Sequence, residues 1–268
     1  MMQITDAQYE TYCERGFLIL PRYLPEETRA EAAAALRRCL RPWEEVKDNP
    51  PPGLTATHGF PYPEPLLNRL TIEPGLVAFA RRALGSEDIH FRAGLSIVRY
   101  PGFQGDYGEP HIDNGNNSLL PPTESDPGYA QLTCWWHLED VEADQAPLRI
   151  IPKIYGNDTS QYESVLVPGG SLCLFNNYMW HSAGNYARAD GQRYSWGYMF
   201  GRAGHYWEGF MHYTNAGRNP HFQQLIGSLT PKERELFRFP PVGHPYYTPQ
   251  TLAALEQQYP GWNAADYL

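Results

Sequence analysis

Two short apolar runs, Ser164-Val165-Leu166-Val167 and Ser171-Leu172-Cys173-Leu174-Phe175, stand on either side of the turn sequence Pro168-Gly169-Gly170. Apolar runs of this length, bounded by proline and glycine, are typical of buried β-strands. Proline and glycine interrupt regular structure, so this turn-rich segment is expected to separate the two runs. The stretch therefore predicts two short strands with a turn-rich segment between them.

Further runs of the same kind occur along the middle of the chain, again separated by turn-rich segments. Several short strands after a helical start are typical of an antiparallel double-sheet barrel with helices packed outside it. The predicted fold class is therefore mainly β with flanking helices, around a double-stranded β-helix core (a cupin-like jelly roll). The additional predicted strands are residues 89–100, 131–138, 148–151 and 193–200.

The ends of the chain have a different character. Capping residues, alanine content and glycine stops predict helices from Thr5 or Asp6 to about 15, from Pro25 to about 39 and over about 75–84, with a strand at 17–20. Residues 47–65 hold eight prolines and glycines and are predicted to form a loop. Two short helices are predicted in the tail, at 230–237 and 249–259. We expect one domain over 1–268, with a helical part (1–88), the jelly-roll core (89–200) and an aromatic, proline-rich extension that packs on the core (201–268).

Composition excludes several classes of protein. Hydrophobic residues make up 42% of the 268 residues, which is enough for a sizeable core. The net charge of −9 argues against a broad basic surface for nucleic acid. The sequence has neither a secretory signal pattern nor an apolar run long enough for a membrane span. Four widely spaced cysteines indicate neither a structural zinc site nor a disulfide framework. We expect a cytoplasmic monomer or homodimer that acts on a small molecule, with no nucleic-acid or membrane partner.

His111-Ile112-Asp113 is the sharpest chemical feature of the sequence. On extended backbone, residues i and i+2 point to the same side, so this imidazole and carboxylate converge. A second imidazole, His181, lies between two predicted strands. Two histidines and a carboxylate on one face of a metal leave positions open for other ligands, as in non-haem Fe(II) oxygenases. These three residues are candidate metal ligands and catalytic residues.

Arg193 and Ser195 follow at the start of an apolar strand. Their i, i+2 spacing points both side chains in the same direction. A guanidinium fork and a hydroxyl together suit a carboxylate. A dicarboxylate that chelates iron at one end would need such an anchor at the other end.

The chain resembles the phytanoyl-CoA dioxygenase-like family of Fe(II)- and 2-oxoglutarate-dependent oxygenases over most of residues 3–200. The individual motifs are loose, but their order and spacing together are specific. In chain order, the motifs are the helix and strand of residues 4–20, His111/Asp113, Trp135-Trp136-His137-Leu138-Glu139-Asp140-Val141, Leu148-Arg149-Ile150-Ile151-Pro152, Pro168-Gly169-Gly170-Ser171, and His181-Ser182-Ala183-Gly184-Asn185 leading to Arg193.

The resemblance implies an activity and roles for residues. Its cofactors would be Fe(II), 2-oxoglutarate and O2, and its reaction the hydroxylation of an unactivated C–H bond with release of succinate and CO2. His111, Asp113 and His181 would bind iron, and Arg193 would bind the distal carboxylate of 2-oxoglutarate. Thr133 and Trp135 fall where the family lines the cosubstrate pocket, and Arg99 or Tyr100 could also reach it. The chain departs from the family's pattern at Gln145-Ala146-Pro147 and Lys153-Ile154-Tyr155, which leaves the substrate open.

Substrate residues are harder to predict. Asn114, Asn116 and Asn117 follow the metal motif and could hydrogen-bond a polar substrate. His137 alternates with Trp135 on a predicted strand, so it is a pocket candidate as well. An aromatic cluster around and after His181 could form a lid or simply core, and a loop near His58 could close over the site. The cluster consists of Tyr178, Trp180, His205, Tyr206, Trp207 and Phe210, and the loop is Pro61-Tyr62-Pro63.

Other functions remain open at this point. The same scaffold could catalyse desaturation, epoxidation or cyclisation, because that outcome depends on how the substrate is placed. A zinc hydrolase could use the same three ligands, but it would need neither Arg193 nor 2-oxoglutarate. A non-catalytic jelly-roll binding protein would have no structural need for the three ligands to converge.

Overall fold

The structure is a computed structural model that describes residues 3–105, 110–113, 131–203, 219–237 and 239–267. Two antiparallel sheets face each other within these ranges. The larger sheet has six strands in the order β1 (Phe17–Leu20), β7 (Ser171–Asn176), β4 (Gln131–His137), β9 (Arg193–Arg202), β3 (Ile89–Arg99) and β2 (Thr55–Gly59). The smaller sheet has the order β6 (Glu163–Ser164), β5 (Leu148–Ile150) and β8 (His181–Ala183).

Strands β4, β7 and β9 in the middle of the larger sheet are buried on both faces, because helices cover one face and the smaller sheet covers the other. Side chains alternate along each strand. Leu132, Cys134 and Trp136 of β4 face away from the smaller sheet and join the large core cluster with the helices. Phe175 of β7 belongs to an inner cluster with Leu148 of the smaller sheet. This near-continuous burial explains why the strands appear in the sequence as apolar runs rather than alternating patterns.

Helices cover the outer face of the larger sheet and the C-terminal part of the chain. The first helix begins and ends where its sequence dictates. Thr5 and Gln8 form a capping box at its start, and Gly16 ends it with a φ of 81°. The helices are α1 (Asp6–Arg15), α2 (Glu26–Cys39), α3 (Trp43–Val46), α4 (Pro65–Leu70), α5 (Pro74–Leu84), α6 (Pro220–Ser228), α7 (Pro231–Arg234) and α8 (Pro249–Gln258).

The fold class predicted from the sequence is confirmed, with corrections to particular elements. The predicted loop at 47–65 contains strand β2, whose five residues pair with β3. Of the strand predicted at 164–167, only Ser164 lies in a strand (β6), and the helix predicted at 230–237 is a short α-helix followed by a 3-10 turn. Strand β8 and helices α3, α4 and α6 were not predicted. Each of these is three to nine residues long, too short for a clear periodic signal.

The C-terminal segment shares the main core. Phe222, Leu252 and Trp262 belong to the same hydrophobic cluster as the outer face of the larger sheet. The described part of the extension and the larger sheet therefore share one hydrophobic cluster, and the single-domain organisation stays a prediction. No helix within the described ranges is long and apolar enough to cross a membrane.

Candidate active site

The backbone brings His111 and His181 together. The His111 N–H donates to the His181 carbonyl at 2.9 Å, and the His181 N–H donates to the His111 carbonyl at 3.0 Å. This antiparallel bridge sets the two imidazoles side by side, with ring centroids 4.4 Å apart. Asp113 follows two residues later, as the spacing of the motif required. The smaller sheet therefore presents all three candidate ligands from one edge.

Ligand atoms of the three residues lie within 4.8 Å of one another, and His181 Nε2 is 3.9 Å from Asp113 Oδ1. His181 Nδ1 donates to the Met179 carbonyl at 2.8 Å, because a carbonyl can only accept. That hydrogen bond fixes the orientation of the ring and leaves Nε2, which faces Asp113, as the nitrogen available to a metal, as is usual for histidine ligands. Two imidazole nitrogens and a carboxylate oxygen thus suit Fe(II) with open coordination positions.

A cavity of about 270 Å³ lies beside these ligands, between the two sheets. Its walls are mostly apolar, with Thr133 and Arg99 among the polar contributions. The apolar lining includes Leu95, Ile97, Leu148, Phe175 and Met199.

Arg193 and Ser195 are buried on the inner face of β9, with exposed fractions of 2% and 0%. Neither the guanidinium nitrogens of Arg193 nor Ser195 Oγ has a hydrogen-bond partner among the described residues. Burial, and then the nearby charge of Arg99, lower the pKa of Arg193 well below its ordinary value. Leaving such donors buried and unsatisfied is costly, and a carboxylate would satisfy the fork and the hydroxyl together. The residues present therefore fit a dicarboxylate cosubstrate.

Comparison with protein families agrees with this geometry. The phytanoyl-CoA dioxygenase profile matches residues 12–190, more than half of the chain. The chain belongs to the phytanoyl-CoA dioxygenase family. Among curated proteins, no sequence matches it significantly. The predicted family and its iron and 2-oxoglutarate chemistry are thereby confirmed at the level of the family.

Solved structures share the fold of this phytanoyl-CoA dioxygenase family member at low identity. HygX from Streptomyces hygroscopicus, crystallised with nickel, 2-oxoglutarate and hygromycin B, has a TM-score of 0.57 and 15% identity, covering 75% of this chain and 88% of its own. The 2-oxoglutarate-dependent epimerase SnoN from nogalamycin biosynthesis has a TM-score of 0.56 and 17% identity, covering 74% and 83%. The carbocyclase SnoK from the same biosynthesis has a TM-score of 0.54 and 18% identity, covering 74% and 84%.

Trp135 and Thr133, which the resemblance assigns to the cosubstrate pocket, both line the cavity of this family member. Trp135 lies opposite Gly197 in the register of β4 and β9. A Cβ atom on Gly197 would stand 2.2 Å from Trp135 Cε3, so only glycine leaves room for the indole in this position. Trp135 Nε1 and Thr133 Oγ1 have no hydrogen-bond partner among the described residues. Each of these two side chains therefore brings an unsatisfied hydrogen-bond donor to the wall of the cavity.

Of the two alternatives ending β3, the structure favours Arg99. Arg99 lines the cavity and lies directly opposite Arg193 in the register of β3 and β9. Tyr100 instead donates its hydroxyl to the Arg41 carbonyl at 2.6 Å and packs against Trp43. Tyr100 is therefore excluded from the pocket, because it lies on the helical side of the sheet.

The structure places the candidate substrate residues in different surroundings. His137 is completely buried and lies at the Arg193 end of the inner face, rather than at an open edge of the cavity. Tyr178 is half-buried and does not line the cavity. The Pro61-Tyr62-Pro63 loop forms no lid, because Tyr62 is fully buried and packs edge-on against Trp196 in the outer core. Predictions for Asn114, Asn116, Asn117, His205, Tyr206, Trp207 and Phe210 lie outside the described residues.

Two residues that matter to the site escaped sequence reasoning. Met179 acts through its backbone carbonyl, which orients His181 and gives no signal in the sequence. Gly197 does give a signal, since it is a glycine inside an otherwise bulky strand, where close approach of another group is expected.

Proposed function

We propose that this protein is an Fe(II)- and 2-oxoglutarate-dependent dioxygenase that hydroxylates an unactivated C–H bond of a small molecule. The overall reaction is R–H + O2 + 2-oxoglutarate → R–OH + succinate + CO2. One observation carries the proposal. The unsatisfied donors of Arg193 and Ser195 lie buried on the larger sheet, while His111, Asp113 and His181 converge at the facing edge of the smaller sheet.

The side chains divide into two tasks. His111, Asp113 and His181 would hold Fe(II), which when bound supplies the activation of O2. Arg193 and Ser195 would bind the distal carboxylate and so fix the direction of the 2-oxo acid, with Thr133, Trp135 and Arg99 along its length. Holding the reactants in one geometry lowers the entropic part of the barrier.

The apolar walls of the cavity bear on the substrate. Leu95, Leu148 and Met199 line the space near the ligand group and offer no hydrogen bond to a polar substituent. We infer that the reacting carbon belongs to an aliphatic or aromatic part of the small molecule.

Epimerisation or ring closure is the alternative outcome on this scaffold, since SnoN is described as an epimerase and SnoK as a carbocyclase. The asparagines and aromatic residues suggested for substrate contact stay predictions. Location in the cytoplasm and a monomeric or homodimeric state also stay predictions.

Isotope labelling distinguishes these outcomes. Small molecules would first be screened for faster succinate release with Fe(II) and 2-oxoglutarate present. Turnover of a molecule so identified under ¹⁸O2 should put one labelled atom into the product and one into succinate. A product without the label would support epimerisation or ring closure instead. A zinc hydrolase or a binding protein would release no succinate with any molecule, and Arg193→Met would not change its behaviour.

A further inference from the structure

We propose that His137 donates a hydrogen bond to the distal carboxylate of the 2-oxo acid, as a third donor beside Arg193 and Ser195. The inference rests on the proposed function. It moves His137 from the substrate, where its alternation with Trp135 first suggested a role, to the cosubstrate.

The register of the sheet determines the neighbours of His137. Trp136 of β4 lies opposite Trp196 of β9, so in the same register the next residue, His137, comes opposite Ser195. On its other side, His137 lies opposite Ser171 of β7. His137 is therefore the residue of β4 that stands beside the Arg193–Ser195 anchor.

Ser171 is already engaged elsewhere. Its Oγ donates to the Pro168 carbonyl at 2.6 Å and accepts from the Arg22 N–H at 3.1 Å. His137 itself has an exposed fraction of 0%, and neither ring nitrogen has a hydrogen-bond partner among the residues that the structure describes. A buried imidazole with no partner is unfavourable, so its polar atoms imply a ligand on the Ser195 side.

The charges around His137 indicate the kind of ligand that its ring would bind. The ionisable groups that act on His137 are the guanidiniums of Arg193 and Arg99, and both are positive. Burial and these two charges lower the pKa of His137 to about 3, so the ring is neutral near pH 7. A neutral imidazole has one N–H to donate, and the surrounding positive field favours an anionic acceptor. A carboxylate meets both conditions.

The test uses two 2-oxo acids that differ only at the far end. 2-Oxopentanoate has a methyl group where 2-oxoglutarate has its distal carboxylate. Each acid would be titrated anaerobically by calorimetry into the Fe(II)-loaded wild type and into His137→Phe. We expect the variant to bind 2-oxoglutarate about 10- to 100-fold more weakly, the range for a hydrogen bond to a charged acceptor, and 2-oxopentanoate almost unchanged.

Two further variants act as controls. His137→Gln keeps a donor and should recover most of the affinity for 2-oxoglutarate. His137→Ala cannot clash and carries the same test if His137→Phe does not fold. An unchanged preference for 2-oxoglutarate in the variants without a donor, or equal weakening for both acids, overturns the role of His137 and leaves the proposed function intact. A wild type that binds neither acid overturns both.

Discussion

Gly197 is the residue that makes room for Trp135 on the inner face of the larger sheet. A Cβ atom at this position would stand 2.2 Å from one ring carbon of Trp135 and 2.5 Å from another. We therefore expect Gly197→Ala to displace the indole, to lower the free energy of unfolding by about 1–3 kcal/mol and to weaken 2-oxoglutarate binding. Urea unfolding and calorimetric titration measure the two effects.

Gly59→Ala is the matched control, since it also lies in a strand and a Cβ atom there meets nothing within 4 Å. It should leave binding unchanged and alter stability by less than about 1 kcal/mol. Equal effects of the two substitutions would show that Gly197 has no special relation to Trp135.

The buried ring of His137 leads to a second prediction, on the stability of the fold in acid. Its pKa falls from 6.5, the ordinary value, to about 3 in the folded protein. Between these values the unfolded chain binds the extra proton, so folding loses stability as pH falls through this window. From pH 7 to pH 5 the wild type should lose about 2 kcal/mol that His137→Phe does not lose. Urea unfolding at both pH values measures this difference. Identical acid dependence in the two proteins would contradict the predicted titration.

The elements differ in how much of them the sequence predicts. Strands β4, β7 and β9 are rich in apolar and aromatic residues and are buried on both faces, and β3 is similar except at its exposed Leu95, so composition alone indicates these strands. Strand β8 contains His181 and Ser182 and has no apolar run. It exists because Leu148–Ile150 and His111 supply its hydrogen-bond partners from elsewhere in the chain.

The sequence likewise predicts some parts of the candidate site and not others. The spacing of His111 with Asp113, and of Arg193 with Ser195, predicts local convergence from strand geometry alone. The position of His137 beside the start of β9, where Arg193 lies, depends on the register between β4 and β9, which no local pattern specifies. For this reason the sequence suggested a pocket role for His137 without indicating which ligand it would bind.

Arg234 joins the C-terminal elements. Its guanidinium is buried, donates to the carbonyls of Ile226 at 2.9 Å and Gly227 at 3.3 Å, and lies 3.8 Å from the centre of the Trp262 ring. Arg234→Met keeps an aliphatic chain but removes these donors, so we expect a loss of about 2–4 kcal/mol in the free energy of unfolding.

Lys232→Ala provides the comparison for Arg234. Lys232 lies two residues away, and its exposed ion pair with Glu235 should contribute less than about 1 kcal/mol. Denaturant unfolding of both variants measures the difference. A loss no larger for Arg234→Met than for Lys232→Ala would contradict a structural role for the buried guanidinium.

The proposed site needs residues from both sheets of the molecule. His111, Asp113 and His181 come from the edge of the smaller sheet, while Arg193 comes from the centre of the larger one. One 2-oxoglutarate molecule would have to contact both groups. Binding of iron and 2-oxoglutarate therefore tests the site and the fold at once.

The most direct measurement is an anaerobic titration of the protein with Fe(II) and then with 2-oxoglutarate, followed by visible absorbance of the iron–2-oxo acid chelate. We expect a band in the wild type and none in Asp113→Ala. Arg193→Met should still bind iron but need at least about 100-fold more 2-oxoglutarate, since it loses a bidentate, charge-assisted contact. Iron binding without a band in the wild type, or an Arg193→Met titration identical to the wild type, would contradict the account.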